Sequence, residues 1–450
     1  MPTADPHRQP PAAAPAAAPA AAPAPVPVPA RTPATGPART PARTPAGKLA
    51  HAPGFAWRRR GRAVAAGLGC ALLLGCACSA AAMARPAGPP GGFERIVVFG
   101  DSLSDDGAYT LAALLVYPSG TPYELPYARG GQFSVNDLDS ANWSDRLAAR
   151  LGLPLSPNLV GFRVLDWDLF LTPAGTVGDA DAATCAFDLS EPEAPRHCTN
   201  HAQGGARVTQ WQGIGHEYGA LTYPVREQWR RHREQFGALR ERDLVIVLAG
   251  SNDILAALAL PRDAAVQQVG RAADDLAGLV RDMLTLGASH LLLATLPDAA
   301  LTPFGQHLGA AASCDRNDPA TPCHALSRLV DVFNTRLASQ LQAQPVAWLD
   351  LHALFERQMS EPGRFGLDNV ADPWCDPDLE TSLLCNASTP NPGAGANLRS
   401  LPHWLFADSL HPTPAGHQML ADAAWRQLRA NGWLTPAPGS GGLRARGTHE

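Results

Sequence analysis

Four short, almost wholly apolar runs at 95–99, 244–249, 290–294 and 346–349 are separated by stretches of helical periodicity, and this alternation leaves the chain few architectures. Over 262–287, Val266, Val269, Ala273, Leu276, Val280 and Met283 recur at three- and four-residue spacing. Over 324–343, Leu326, Leu329, Phe333, Leu337 and Leu341 do the same. Each stretch is predicted to be an amphipathic helix lying on a sheet. Strands that are apolar on both faces need cover on both faces. The pattern therefore predicts an α/β fold, a three-layer α/β/α sandwich around a central parallel sheet. One doubly wound domain over 93–435 accommodates it, and no internal repeat interrupts it. Three long Pro/Asp-rich segments, 155–200, 304–323 and 355–402, lack the periodicity and are read as loop insertions.

Residues 1–56 carry fifteen of the 43 prolines among alanines and threonines. Such a segment buries too little apolar surface to offset chain ordering, so it is expected to be disordered; a translation start further downstream is the alternative account of it. Next come Arg58-Arg59-Arg60-Gly61-Arg62, an apolar run over 63–74 and small residues ending in Ala82-Met83-Ala84. That order matches a secretory signal over 57–84, with Arg85 as the mature start. Leu73-Leu74-Gly75-Cys76 gives a second reading, a lipoprotein signal that leaves a lipid anchor on Cys76. A Gly/Pro linker follows at 85–92, and 436–450 reads as a flexible tail. About forty residues follow His411, too few for a membrane barrel. The expected location is secreted or periplasmic, with an outer-membrane lipoprotein as the alternative.

Cysteine usage agrees with export. Of nine cysteines, Cys70, Cys76 and Cys78 fall in the signal, and Cys185/Cys198, Cys314/Cys323 and Cys375/Cys385 form three local pairs. Short loops favour neighbours, so these are the expected disulfides, each pinning one of the insertions. No Cys-x2-Cys pair occurs, and His216-Glu217 lacks the second histidine of a zinc-protease helix, so no metal site is expected. A net charge of −5, with no dense basic run outside 58–62, gives no support for a nucleic-acid partner. Lys48 is the only lysine and precedes the domain, which excludes Schiff-base, Ser-Lys and phosphate-loop chemistry there.

Phe99-Gly100-Asp101-Ser102-Leu103-Ser104-Asp105 leaves the first apolar run and sets a serine hydroxyl on the turn at the carboxyl end of a strand, where ligands of parallel sheets collect. A hydroxyl needs a base to become a nucleophile. Asp408-Ser409-Leu410-His411 supplies a histidine, with a carboxylate three residues earlier to hold its tautomer and stabilise the imidazolium. Pro412 and Pro414 stiffen that loop ahead of a helix from about Ala415. Gly250-Ser251-Asn252-Asp253 follows the second apolar run, so the Asn252 amide can project beside Ser102. Asn200-His201-Ala202-Gln203-Gly204-Gly205-Ala206 offers glycine amides that approach a ligand closely. With the Ser102 N–H these make an oxyanion site in which each donor is worth about 3 kcal/mol of transition-state stabilisation.

These four blocks, in this order, resemble the GDSL, or SGNH, hydrolase family of serine esterases and lipases over roughly 93–430. Phe99 to Asp105, Leu296-Pro297-Asp298 and Phe333-Asn334 are similar to the branch of secreted bacterial lipases, phospholipases and acyltransferases. The resemblance implies the flavodoxin-like SGNH fold, a catalytic Ser102, His411 and Asp408, and oxyanion donors from Ser102, Asn252 and either Gly204 or Gly205. His201 stands where an aromatic is common, and Arg207 where some relatives carry another glycine. The ordinary α/β-hydrolase elbow is disfavoured because Ser104, not glycine, is the second residue after Ser102. The expected activity is cleavage of a lipid or small acyl ester by a monomer without cofactor, with contact to a membrane surface left open. Alternatives are acyl transfer from phospholipid, polysaccharide deacetylation, or an envelope-binding protein on an inherited hydrolase scaffold. Tyr117, Tyr123, Tyr127 and Phe133 are candidates for an acyl cleft.

Overall fold

The apolar runs become strands within one residue of their expected bounds. The computed structural model describes residues 92–108, 131–136, 141–158, 162–164, 167–169, 198–213, 222–309, 314–379 and 381–434. Among them are six strands: β1 (Arg95–Gly100), β2 (Phe162–Val164), β3 (Trp167–Leu169), β4 (Asp243–Leu248), β5 (His290–Ala294) and β6 (Ala347–Leu349). Four form a wholly parallel sheet in the order β1-β4-β5-β6, with Ile96 opposite Leu244 and Val247 opposite Leu293. Every residue of β4 is buried, as a strand covered on both faces requires. Segments 1–56, 57–84, 85–91 and 436–450 lie outside the described residues, so the expectations for them are untouched.

Helices α1 (Trp143–Leu151), α2 (Val225–Phe236), α3 (Ser251–Ala257), α4 (Arg262–Thr285), α5 (Pro303–Gln306), α6 (Pro322–Leu341), α7 (Leu351–Ser360) and α8 (Pro414–Ala430) connect the strands. They pack in two groups, α4 against α3 and α6, and α1 against α8. All five apolar positions read for α6 are buried. In α4 the prediction errs at Val266, which is 38% exposed while Ala265 next to it is buried. An i, i+3 spacing fits two adjacent registers of the helix face, and the smaller side chain lies nearer the core.

The insertions carry more order than their sequences suggest. Segment 304–323 begins inside α5 and 355–402 begins inside α7. Segment 155–200 contains the antiparallel β2–β3 pair and ends on the free edge of β1. There Val98 N–H donates to Thr199 O (2.9 Å), His201 N–H to Val98 O (2.8 Å) and Gln203 N–H to Gly100 O (3.1 Å). The glycine block is thereby laid beside the last residues of β1. Disulfides join Cys314 to Cys323 and Cys375 to Cys385; Cys198 is disulfide-bonded, and Cys185 lies outside the described residues.

His201 packs as an aromatic ring in the core. Its ring stacks on Phe99 (centroids 5.3 Å) and meets His232 and Phe236 edge-on, with His201 Nε2 2.9 Å from His232 Nδ1. Burial pushes His232 down to about 3 and His201 well below the ordinary histidine value, so the pair is neutral and serves as core.

Candidate active site

β1 delivers the nucleophile turn, and a side chain from α2 fixes its last residue. Gln228 accepts from Gly100 N–H and donates to Gly100 O, both at 2.9 Å, sharing that carbonyl with Gln203 N–H. The chain then turns: Ser104 N–H donates to Asp101 O (3.1 Å), and Leu103 N–H to Asp101 Oδ1 (3.2 Å). Ser102 sits at the tip, with Oγ 2.8 Å from His411 Nε2 across 309 residues of sequence.

The loop before α8 holds the histidine and its carboxylate. Ala407 N–H donates to His411 O (2.8 Å), closing the loop on itself, and Ser134 Oγ–H donates to Pro412 O (3.0 Å). His411 Nδ1 lies 2.7 Å from Asp408 Oδ2 and 2.9 Å from Oδ1. Asp408 Oδ1 also accepts from Leu410 N–H (2.8 Å) and His411 N–H (2.7 Å), and Oδ2 from Ser382 N–H (3.1 Å). Burial works against charge on both side chains, yet their mutual attraction and hydrogen bonding outweigh it. Asp408 is held well below the ordinary carboxylate range, and His411 is raised above its ordinary value.

Asp101 adds a second carboxyl facing His411. It is fully buried, its Oδ1 accepts from Leu103 N–H, and its Oδ2 has no hydrogen-bond partner among the described residues. Burial pushes it up to about 7 despite the pull of the Leu103 N–H and of His411.

The asparagine and glycine blocks are stapled to one another. Asn252, the second residue of α3, donates from Nδ2 to Ala206 O (2.9 Å), which leaves one of its two amide hydrogens for another acceptor. Arg207 has Nε 3.1 Å from Asp253 Oδ1, while Asp253 Oδ2 accepts from Val208 N–H (2.8 Å). An ion pair thus fixes Arg207 at the end of the glycine block. Upstream, Gly204 N–H donates to Asp105 Oδ2 (2.7 Å). Ser102, Asp408 and His411 are brought together, and Asn252 and the two glycines flank β1 and β4 at the same carboxyl end of the sheet.

Of the aromatic candidates, Phe133 packs on His411 (centroids 4.8 Å), and Tyr117, Tyr123 and Tyr127 lie outside the described residues. An apolar cavity of about 340 Å³ opens beside Ser409, walled by Pro303, Phe304, Leu308 and Pro373. Phe304 N–H donates to Ser409 O (2.9 Å), so its wall is tied to the loop of His411. Asp298, His352 and Glu356 also converge, with ligand atoms within 4.8 Å of one another, but the Arg316 guanidinium already bridges Asp298 (2.6 Å) and Glu356 (2.7 Å). That cation occupies the charge a metal would need.

The sequence reading missed Ser382, whose role depends on a disulfide loop. Cys375 N–H donates to Ala407 O (2.9 Å), and the Cys375–Cys385 bridge encloses Ser382. Replacing both cysteines by serine is expected to lower stability by about 2–3 kcal/mol and kcat several-fold. Thermal melting and steady-state kinetics check this; unchanged kcat in the less stable variant would free Asp408 from dependence on that loop.

Comparison with known proteins places the chain in one family. The GDSL-like lipase/acylhydrolase family model matches residues 96–424. Esterase EstA of Pseudomonas aeruginosa is 30% identical over 378 residues, covering 80% of this chain and 51% of the relative, and Esterase EstA of Pseudomonas putida matches equally. The chain therefore spans about half the length of the curated relatives it matches. Among solved structures, the acetylxylan esterase Axe2 from Geobacillus stearothermophilus superposes with a TM-score of 0.33 at 14% identity, covering 74% of this chain and 94% of that one.

Proposed function

The chain belongs to the GDSL-like lipase/acylhydrolase family, and from that premise we propose that it hydrolyses carboxylic esters through an acyl-enzyme on Ser102. The observation that carries the reading is the 2.8 Å contact between Ser102 Oγ and His411 Nε2, backed by Asp408 at 2.7 Å. Ser102 Oγ attacks the ester carbonyl as its proton passes to His411 Nε2, and Asp408 stabilises the imidazolium through Nδ1–H. The oxyanion is held by the Ser102 N–H, the spare hydrogen of Asn252 Nδ2 and one glycine N–H. His411 returns the proton to the leaving alcohol, then takes one from the water that releases the acid.

The apolar cavity beside Ser409 gives an apolar acyl or alcohol group a place next to the His411 loop. The disulfides Cys314–Cys323 and Cys375–Cys385 support export to an oxidising compartment. Among the described residues no helix is long and apolar enough to cross a membrane. Incubation with a fluorophosphonate probe tests the reading, since only an activated serine reacts. One label per chain on the peptide containing Ser102 is expected. Labelling elsewhere, or none, would overturn it, and a series of acyl esters of increasing length then defines the substrate.

A further inference from the structure

One buried carboxylate beside the site is unused by this chemistry. Asp105 is 1% exposed; its Oδ1 accepts from Gly107 N–H (2.9 Å) and Ala108 N–H (2.7 Å), and its Oδ2 accepts from Gly204 N–H (2.7 Å). Two bonds hold the carboxyl to its own loop, so the third acts on a segment 99 residues away. A carboxylate accepting from backbone amides forms charge-assisted hydrogen bonds, stronger than neutral ones.

The neighbouring glycines answer to different constraints. At Gly204 a Cβ would come within 2.2 Å of the Phe133 ring, so packing requires glycine there whatever its N–H does. Gly205 has φ of +81°, a conformation that side chains other than glycine rarely adopt, and its N–H has no partner among the described residues. Beyond it the chain is anchored again, at Ala206 O by Asn252 and at Arg207 and Val208 by Asp253. Gly205 is thus the one free amide between two fixed points.

We infer that Asp105 is a positioning residue of the oxyanion hole: by holding the Gly204 N–H it orients the next peptide and makes Gly205, not Gly204, the glycine donor. The inference rests on the hydrolase reading above. It also explains why two glycines stand in tandem, one for the Phe133 ring and one for the turn that presents an amide.

Asp105→Asn separates positioning from general structure, because an asparagine keeps one acceptor oxygen and cannot serve both the 107–108 amides and Gly204. Expected are a fall in kcat of about hundredfold, KM within roughly threefold, and an acid limb of the pH–rate profile that stays in place because Ser102, His411 and Asp408 are untouched. A kcat within threefold of wild type, or a displaced acid limb with KM rising alongside, would overturn the inference. A second measurement uses the unaltered chain, so it does not depend on the variant folding. In protein labelled with ¹⁵N-glycine, an adduct of phenylboronic acid on Ser102 moves the Gly205 amide proton downfield and leaves that of Gly204 in place. The opposite assignment, or no movement at Gly205, overturns the role given to Asp105. Absence of any adduct at Ser102 overturns the hydrolase reading and this inference with it.

Discussion

Alanine at position 102 leaves a folded protein whose turnover of p-nitrophenyl acetate falls by roughly 10⁶-fold. The Ser102 hydroxyl makes one contact of consequence, to His411 Nε2 at 2.8 Å, and His411 remains fastened by Asp408 when that contact is lost. The stability change is therefore no more than one hydrogen bond, about 1 kcal/mol. Removal of the nucleophile leaves the oxyanion donors in place, so a residual rate roughly 10³-fold above water persists. Steady-state kinetics together with thermal melting check this. A Ser102→Ala protein retaining a tenth of wild-type turnover would mean that the ester is opened by something other than this hydroxyl.

The parts of the fold legible in the sequence are those where one physical requirement dominates. β1, β4, β5 and β6 are short apolar runs because both faces are covered, and α6 shows its stripe because five large side chains point one way. α2 carried no such signal. Its buried face mixes Val225 and Trp229 with Gln228, Arg231 and His232, polar side chains whose partners lie far along the chain. Gln228 is the clearest case, since nothing local reveals that it will hydrogen-bond Gly100. α1 was detectable in principle, because Asn142 and Asp145 form a capping box at its start.

The candidate site divides the same way. Ser102, Asn252, Asp408 and His411 stand in compact blocks and could be placed from residue type and spacing. The choice between Gly204 and Gly205 could not, because both are glycines in one turn and what distinguishes them, the bond from Gly204 to Asp105, the Phe133 ring against Gly204 and the positive φ of Gly205, has no local sequence signal. Arg207 ends the glycine block with a charge whose partner, Asp253, stands in the asparagine block and is not signalled locally. Ser382 was hidden for another reason: a backbone N–H does the work, and the backbone has no sequence signature.

Asp408→Asn is expected to lower kcat by roughly 10⁴-fold and, in the opposite sense, to extend the active range to lower pH. Oδ1 of Asp408 accepts two loop amides, from Leu410 and His411, so an asparagine keeps its oxygen there and sets its NH2 in the place of Oδ2. That NH2 then faces His411 Nδ1, 2.7 Å from Oδ2 in the wild type, and the Ser382 N–H. A donor there cannot accept the Nδ1 proton, so the imidazole adopts the tautomer that directs N–H, not a lone pair, at Ser102. The pH effect follows from the sign of the His411 shift. His411 must be unprotonated to take the serine proton, so kcat/KM rises with pH through its pKa. In the wild type burial lowers that pKa, but the Asp408 charge raises it by more, so the limb lies above the ordinary histidine value. Without that charge the limb moves down, because burial of His411 is then opposed by little else: Asp101, pushed up to about 7, is itself largely protonated at the lower pH. A pH–rate profile of the variant on p-nitrophenyl acetate checks both effects; a limb that does not move would mean that Asp408 is not the counter-charge of His411, whatever the loss in rate.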